Sequence, residues 1–385
     1  MRATLEVRSL RGALAPMMSV VEKRNMVPVL SFVKLEVKDG RLHVTSTNLD
    51  SILAIDVPLA GNGEYGAVLV PAHTLFRIVK GFSPADFVRL ETVDGRLRVD
   101  FDGARFSLVT LPVGDFPPFA ELGEPSKSFT LPAGWCQKQL ARVAHFMSGE
   151  ETRYYLNGVC AHIYDGKLAI VATDGHKLAR VISDIDPRAT LGNSRVIIPK
   201  YAVWVLTRHL HQKAEVCFIG GSKAHMLFTA PGFFFATKLI DGNFPDYERV
   251  IPRGSANQGF SISGNADALI KAISRLTGFV GARAIQFRRV DRRLIASVDD
   301  HESGRASVAI PGEFAWTAKP DAVCVNGKIF TGVLRQVGKN IRVDFDGPGM
   351  PILITPKDSS DIFVQMPMRG DLQTVESIPG EQVAA

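Results

Sequence analysis

Asp39-Gly40-Arg41-Leu42 recurs as Asp165-Gly166-Lys167-Leu168 and again as Asp291-Arg292-Arg293-Leu294, each copy 126 residues after the last. An apolar stripe upstream keeps the same register. Leu14, Met17, Met18 and Val21 become Leu140, Val143, Ala144 and Met147, then Ala266, Leu269, Ile270 and Ile273. Spacing of i, i+3, i+4, i+7 places four side chains on one face of a helix. A turn and a helix stripe in register three times mark a triplicated unit.

Each unit reads as a strand, a helix, a hairpin, a second helix and further strands. Around the first turn Leu35 and Val37, then Leu42 and Val44, alternate across Asp39-Gly40, a hairpin-forming pair. Leu168 and Ile170, then Leu294 and Ala296, repeat the inward face. A second stripe runs Leu75, Ile78, Val79, Phe82, then Val203, Leu206, Thr207, Leu210, then Phe330, Val333, Leu334, Val337. Pro71 and Pro199 precede two of these helices, as helix starts favour. Two helices per unit are too few to connect some eight strands in parallel. The expected fold is therefore α+β: three tandem copies of two helices packed on antiparallel sheets. The expected domains are 1–125, 126–255 and 256–370, with linkers near Glu121–Lys127 and Pro252–Gln258. Residues 371–385 hold three acids and no Lys or Arg, and read as a disordered acidic tail.

No apolar run approaches the roughly 20 residues of a membrane helix, and the first residues lack a signal-peptide core. A cytoplasmic protein with no membrane partner is expected. Cys136, Cys160, Cys217 and Cys324 are scattered without a CxxC pair, which argues against zinc and against a disulfide framework. No metal or cofactor is expected. The net charge of +6 sits in the middle copy, where residues 126–255 hold 16 Lys/Arg against 10 Asp/Glu.

The charge within the helices is more telling. Six helices are expected near 9–23, 72–81, 133–146, 200–212, 265–277 and 327–338. They carry twelve Lys/Arg, among them Lys80, Lys138, Arg142, Lys200, Lys271 and Lys328, but only two acids, Glu22 and Asp267. Solvated helices normally mix both signs. If these helices share one side, that side binds phosphates without reading sequence.

Signals for catalysis are weak. Gly61-Asn62-Gly63-Glu64-Tyr65-Gly66 fits GxGxxG but leads into a strand, so no helix N-terminus joins it. Thr173-Asp174-Gly175-His176 offers a carboxylate near an imidazole, yet it occupies the place of Thr47-Asn48-Leu49-Asp50, just past a strand. A structural strand end explains it equally well. His209 and His211 point to different helix faces and make a poor metal pair. Ile362–Arg369 is apolar and Met-rich, which suits either a final core strand or a groove that accepts varied peptides.

Several motifs in order carry a resemblance. Val27-Pro28-Val29-Leu30, Arg105-Phe106-Ser107-Leu108, Arg153-Tyr154-Tyr155-Leu156-Asn157-Gly158, Val171 to Ala179, Asp241-Gly242-Asn243-Phe244-Pro245-Asp246-Tyr247 and Met366-Pro367-Met368-Arg369 resemble the bacterial DNA polymerase III beta subunit, the sliding-clamp family. The likeness covers residues 1 to about 369. It implies a non-catalytic head-to-tail homodimeric ring of three-domain subunits, helices lining the hole, around double-stranded DNA. It implies as partners the polymerase alpha subunit, the clamp loader and other proteins with clamp-binding peptides. A peptide-binding pocket is implied at Leu156, Thr173, Gly175, His176, Lys177, Leu178, Pro245, Arg249, Val250, Asn326, Ile329, Val364, Met366, Pro367, Met368 and Arg369. Arg24, Tyr154 and Tyr155 match positions near DNA, and Phe106, Leu108 and Phe279 are expected at the dimer interface.

The chain also departs from this family. Ile329 stands where an aromatic is common, and Pro351 stands near a usual small polar residue. His73-Thr74 replaces a basic pair, Gly370 and a tail follow Arg369, and the whole chain is basic. These departures suggest an alternative: a variant or accessory clamp with altered partner choice, acting mainly as a peptide-docking module.

Overall fold

The computed structural model describes the chain apart from residues 23–25, 119–126, 186–190, 192–193, 211–215, 221–223, 253–259, 281–283, 291–292, 301–303, 317–321, 348 and 369–385. The expected linkers and acidic tail, Arg24, His211, the Asp291-Arg292 turn and Arg369 lie wholly or largely outside the described residues.

Six helices carry the expected apolar stripes: α1 (Val7–Met17), α2 (Ala72–Lys80), α3 (a π-wound Cys136–Leu140 running into Ala141–Ala144), α4 (Lys200–Arg208), α5 (Ala266–Val280) and α6 (Gly327–Val337). Leu14, Met17, Leu75, Val79, Leu140, Val143, Val203, Leu206, Leu269, Ile273, Phe330 and Leu334 are all buried. Thr207, the polar member of its stripe, donates from its hydroxyl to the Val203 carbonyl at 2.8 Å, so it brings no unpaired donor to the helix. The first helix is shorter than expected: it ends at Met17, one residue after Pro16, whose ring nitrogen offers no hydrogen to the helix ladder. α5 runs further than expected, to Val280. α6 stops at Gly338, which has φ 124°.

The hairpin reading holds in detail. Asp39 and Gly40 have φ 50° and 71°, and Asp165 and Gly166 have 48° and 75°, the left-handed pairs of a tight two-residue turn. Asp94-Gly95 is a further such turn within the first copy, at 50° and 68°. In the third copy Val290 pairs with Arg293, so the hairpin register is kept.

The chain forms two compact units, one comprising residues 1–144, 161–168 and 184–242, the other 145–160, 169–183 and 243–385. In the first, strands Gly66–Pro71, Phe32–Lys38, Arg41–Thr47, Ser51–Pro58, Phe233–Lys238, His225–Ala230, Val216–Gly220 and Lys127–Leu131 form one eight-stranded sheet in that order. Ser51–Pro58 of the first copy thus pairs antiparallel with Phe233–Lys238 of the second, Ser51 opposite Thr237. Arg2–Glu6, Phe87–Val93, Arg96–Phe101 and Ala104–Leu108 form a four-stranded sheet. α1 packs on α2, and α3 on α4.

The second unit repeats this plan. The run Lys177–Ser183, Ile362–Gln365, Ile352–Pro356, Asn340–Phe345, Phe260–Asn265 and Glu313–Trp316 joins the second and third copies, with Lys177 opposite Gln365. Gly304–Ala309, Arg293–Asp300, Ala284–Val290 and Ala322–Asn326 form another four-stranded sheet. α5 and α6 pack closely. A Cβ on Gly327 would lie 2.5 Å from Ile285 Cδ1 and 2.8 Å from Thr277 Cγ2. Phe287, Phe330 and Phe345 fill the core beneath, with ring centroids 5.5 to 6.4 Å apart.

Candidate functional site

The Met-rich segment starts as a buried core strand and ends at the surface. Phe363, Val364 and Gln365 are buried in the sheet, and Met366 emerges 37% exposed. Backbone hydrogen bonds fix its path: Met366 N–H donates to the His176 carbonyl at 2.8 Å, and Met368 N–H to that of Cys324 at 2.8 Å. The strand end therefore lies against the Thr173–Lys177 turn.

That turn is self-contained. Asp174 Oδ1 accepts from the backbone N–H of His176 at 2.9 Å and of Lys177 at 3.0 Å. Thr173 Oγ1 accepts from Gly175 N–H at 3.1 Å and donates to the Lys177 carbonyl at 2.8 Å. The carboxylate is spent on its own backbone, an arrangement that shapes a loop. Gly175 has φ +89°, and Arg153 lies over it: a Cβ there would sit 2.8 Å from Arg153 Nη1. Arg153 interrupts the 3₁₀ segment Glu151–Leu156 with non-helical dihedrals. Glu150 grips its guanidinium with two bonds, 2.8 Å and 2.7 Å, which raise its pKa.

These elements enclose a cavity of about 270 Å³. Ten of the residues expected at the pocket line it: Leu156, Thr173, Gly175, His176, Lys177, Leu178, Pro245, Val250, Val364 and Met366. Leu156, Leu178 and Val364 give it a buried apolar floor, while Val250 and Met366 stay exposed at 44% and 37%. The Lys177 ammonium lies 5.4 Å from the Phe146 ring centroid and 3.8 Å from Asp174. Arg153, Tyr155, Asp246 and Tyr247 also line the cavity. Of these, Tyr155 is a position expected beside DNA. The other three carry no periodic or compositional signal; the 3₁₀ segments Glu151–Leu156 and Tyr247–Val250 bring their neighbourhood to the wall.

Arg249, Asn326, Ile329, Pro367 and Met368 do not line it. Arg249 is drawn to Asp246 at 2.8 Å. Asn326 caps α6, its Oδ1 accepting from Ile329 N–H at 3.1 Å.

The positions expected near DNA are spread over the helices. Lys80, Lys138, Lys271 and Lys328 are exposed, and Arg142 and Lys200 are half-buried. Tyr154 is 53% exposed, edge-on to Tyr155 at 5.8 Å. Counted over their observed bounds, the helices hold twelve Lys/Arg and a single acid, Asp267. Of the positions expected at the interface, Phe106 is half-buried and packs edge-on to the Phe82 and Phe101 rings at 6.2 and 6.3 Å. Leu108 is buried, and Phe279 is 42% exposed.

Among the described residues no group of three or more His, Cys, Asp and Glu is placed to hold a metal, and no helix is long and apolar enough to cross a membrane. Cys136, Cys160 and Cys324 are buried free thiols. Burial pushes the Cys136 thiol up to about 12, far from a thiolate nucleophile at neutral pH.

Residues 1–120 match the family model for the DNA polymerase III beta subunit N-terminal domain, and residues 130–246 match that for its central domain. The chain is 31% identical over 379 residues to the beta sliding clamp of Caulobacter vibrioides, covering 96% of this chain and 100% of that one. Among solved structures, the Pseudomonas aeruginosa sliding clamp bound to griselimycin matches with TM-score 0.85 at 30% identity, covering 96% and 99% of the two chains. The Bartonella birtlesii clamp bound to griselimycin matches with TM-score 0.85 at 30% identity, covering 96% and 100%. The fold of tandem two-helix units, together with these relatives, defines the class of non-catalytic sliding clamps that give DNA polymerases their processivity. The chain belongs to the DNA polymerase III beta subunit family.

Proposed function

We propose that two copies of this chain close head to tail around double-stranded DNA in the cytoplasm, each built of domains 1–125, 126–255 and 256–370. The observation that carries the DNA reading is the charge of the helices, twelve cations against Asp267 alone. A phosphate-binding surface of this kind holds DNA without reading sequence, weakly enough to slide. Ala104–Leu108 and Gly304–Ala309 each end a four-stranded sheet. Such edges seek a partner strand, and two different edges make a heterologous contact that closes into a ring when the rotation allows. Phe106, Leu108 and Phe279 are assigned to that contact. The cavity beside Gly175 receives short linear peptides with apolar anchors from the polymerase alpha subunit, the clamp loader and other partners. Tethering raises the effective polymerase concentration at the primer end.

The test loads the chain onto nicked circular DNA with its clamp loader, then linearises the circle. Retention before the cut and loss after it is expected. Equal retention on both forms would defeat the encircling model. Griselimycin, carried by the two relatives above, is expected to compete with a clamp-binding peptide for the cavity.

Ile329, placed where relatives commonly have an aromatic, favours a second reading in which partner choice is altered. A pull-down with a standard clamp-binding peptide, with and without residues 371–385, decides it. Ordinary affinity in both forms would remove this reading.

A further inference from the structure

Lys200, Trp204 and Arg208 follow one another at intervals of four along α4, so they share one side of the helix. That side faces away from the core: Ala202, Val203, Val205 and Leu206 are buried, Trp204 is half-buried and Arg208 exposed. The Lys200 ammonium lies 5.3 Å from the Trp204 ring centroid, and the Arg208 guanidinium carbon 5.2 Å from it. One cation reaches the indole from the turn before it and the other from the turn after. Both distances are within cation–π range.

Helix stability does not account for this arrangement. Arg208, in the last turn, suits the helix dipole, but Lys200 stands in the first turn, where a positive charge is disfavoured. Beyond Arg208, burial and the Arg208 charge hold His209 below the ordinary imidazole range, so His209 adds no third cation at neutral pH. At about 1.5 Å of rise per residue the two cationic positions stand roughly 12 Å apart.

We propose that Trp204 is a positioning residue for nucleic acid: its ring holds Lys200 and Arg208 as a preset pair of phosphate-binding posts. Long cationic side chains lose rotamer freedom when they grip a phosphate. A pair already laid against an aromatic ring loses less, so contact is tighter with no added charge. The inference rests on the DNA reading above, because the posts need a polyanion to meet.

The experiment measures duplex-DNA binding of the full chain by fluorescence anisotropy over a range of salt, for wild type, Trp204→Ala, Trp204→Phe and Lys200→Ala. Griselimycin binding and thermal unfolding serve as controls for folding. Trp204→Ala is expected to weaken binding roughly three- to tenfold, the scale set by a pair of solvent-accessible cation–π interactions, with an unchanged slope of log K against log salt. Trp204→Phe, which keeps an aromatic face, is expected to restore most of the affinity. Lys200→Ala is expected to lower the slope by about 0.9. The positioning role is refuted if Trp204→Ala binds like wild type, if it lowers the slope as Lys200→Ala does, or if Trp204→Phe fails to rescue. If Lys200→Ala leaves both affinity and slope unchanged, α4 does not meet DNA and the DNA reading of this helix fails with it.

Discussion

Replacing Gly175 with leucine is expected to empty the cavity of its ligand while leaving the fold standing, and the chain contains its own control. The first copy forms the same turn 126 residues earlier, with Leu49 at the place of Gly175. Leu49 has φ 74° and Gly175 has 89°. Leu49 N–H donates to Thr47 Oγ1 at 3.1 Å, as Gly175 N–H does to Thr173 Oγ1. Thr47 Oγ1 donates to the Ser51 carbonyl at 2.8 Å, as Thr173 does to that of Lys177. Lys238 N–H donates to the Asp50 carbonyl at 2.7 Å, where Met366 meets that of His176 at 2.8 Å. A leucine therefore fits this backbone, at a left-handed cost of roughly 1–2 kcal/mol. The new Cβ would start 2.8 Å from Arg153 Nη1, so the guanidinium must leave and its bonds to Glu150 shift. Both partners of that pair are more than a third exposed, so solvent screening makes this loss a minor one. Thermal unfolding should fall by only a few degrees, a scale set by the domain size. Peptide affinity, read by fluorescence polarisation with a labelled clamp-binding peptide, should fall at least about tenfold, or roughly 1.4 kcal/mol, as leucine and the displaced guanidinium occupy the groove. Wild-type affinity in Gly175→Leu would show that the ligand binds elsewhere. Outright unfolding would show that the two turns are not equivalent.

Asn326→Ala removes the cap of α6 and should lower stability by about 1 kcal/mol; because the side chain is committed to the helix, peptide affinity measured by the same polarisation assay should change little. His209 gives a pH signature. Burial first, and the neighbouring Arg208 charge second, hold its pKa below the ordinary 6.5, so the folded chain binds fewer protons than the unfolded one. Its contribution is complete above about 6.5 and declines as pH falls from there toward the depressed folded value. Thermal midpoints at about pH 7.5 and 5.5 should differ less in His209→Asn than in wild type; an equal difference in both would remove His209 as the cause.

The repeated stripes and turns are legible in the sequence because helix and hairpin periodicities are local. Leu14 and Met17, or Asp39-Gly40, need only their neighbours to declare a buried face or a reversal. Helix ends are less so: the 9–23 stripe continues past Met17, since Val21 stays buried although the regular helix has ended. The cavity is legible only through resemblance, because its walls come from segments some 200 residues apart, such as Arg153 and Val364. Arg249 and Asn326 are placed at it by position alone. Their side chains find nearer partners in Asp246 and the first turn of α6, a competition between local and distant hydrogen bonds that sequence order does not reveal.

The duplicated turn also separates what the backbone supplies from what the side chains supply. Threonine at 47 and 173 closes both loops in the same way, so the hydrogen-bonded frame belongs to the repeat. What differs is what projects from it. Leu49, Asp50 and Ser51 stand where the second copy has Gly175, His176 and Lys177, and Val27 stands where it has Arg153. Leu49 places an exposed apolar side chain on top of its turn, whereas Gly175 leaves that space to a guanidinium gripped by Glu150. The lack of a Cβ at 175 therefore lets the Glu150-held guanidinium of Arg153 lie over the turn, and under the peptide-binding proposal this pair is the edge that a ligand would meet. Exchanging Leu49 for glycine should not by itself create a second peptide site, because Val27 offers no counterpart to that cationic edge; a second binding event in titrations of Leu49→Gly would overturn this division of labour between frame and side chain.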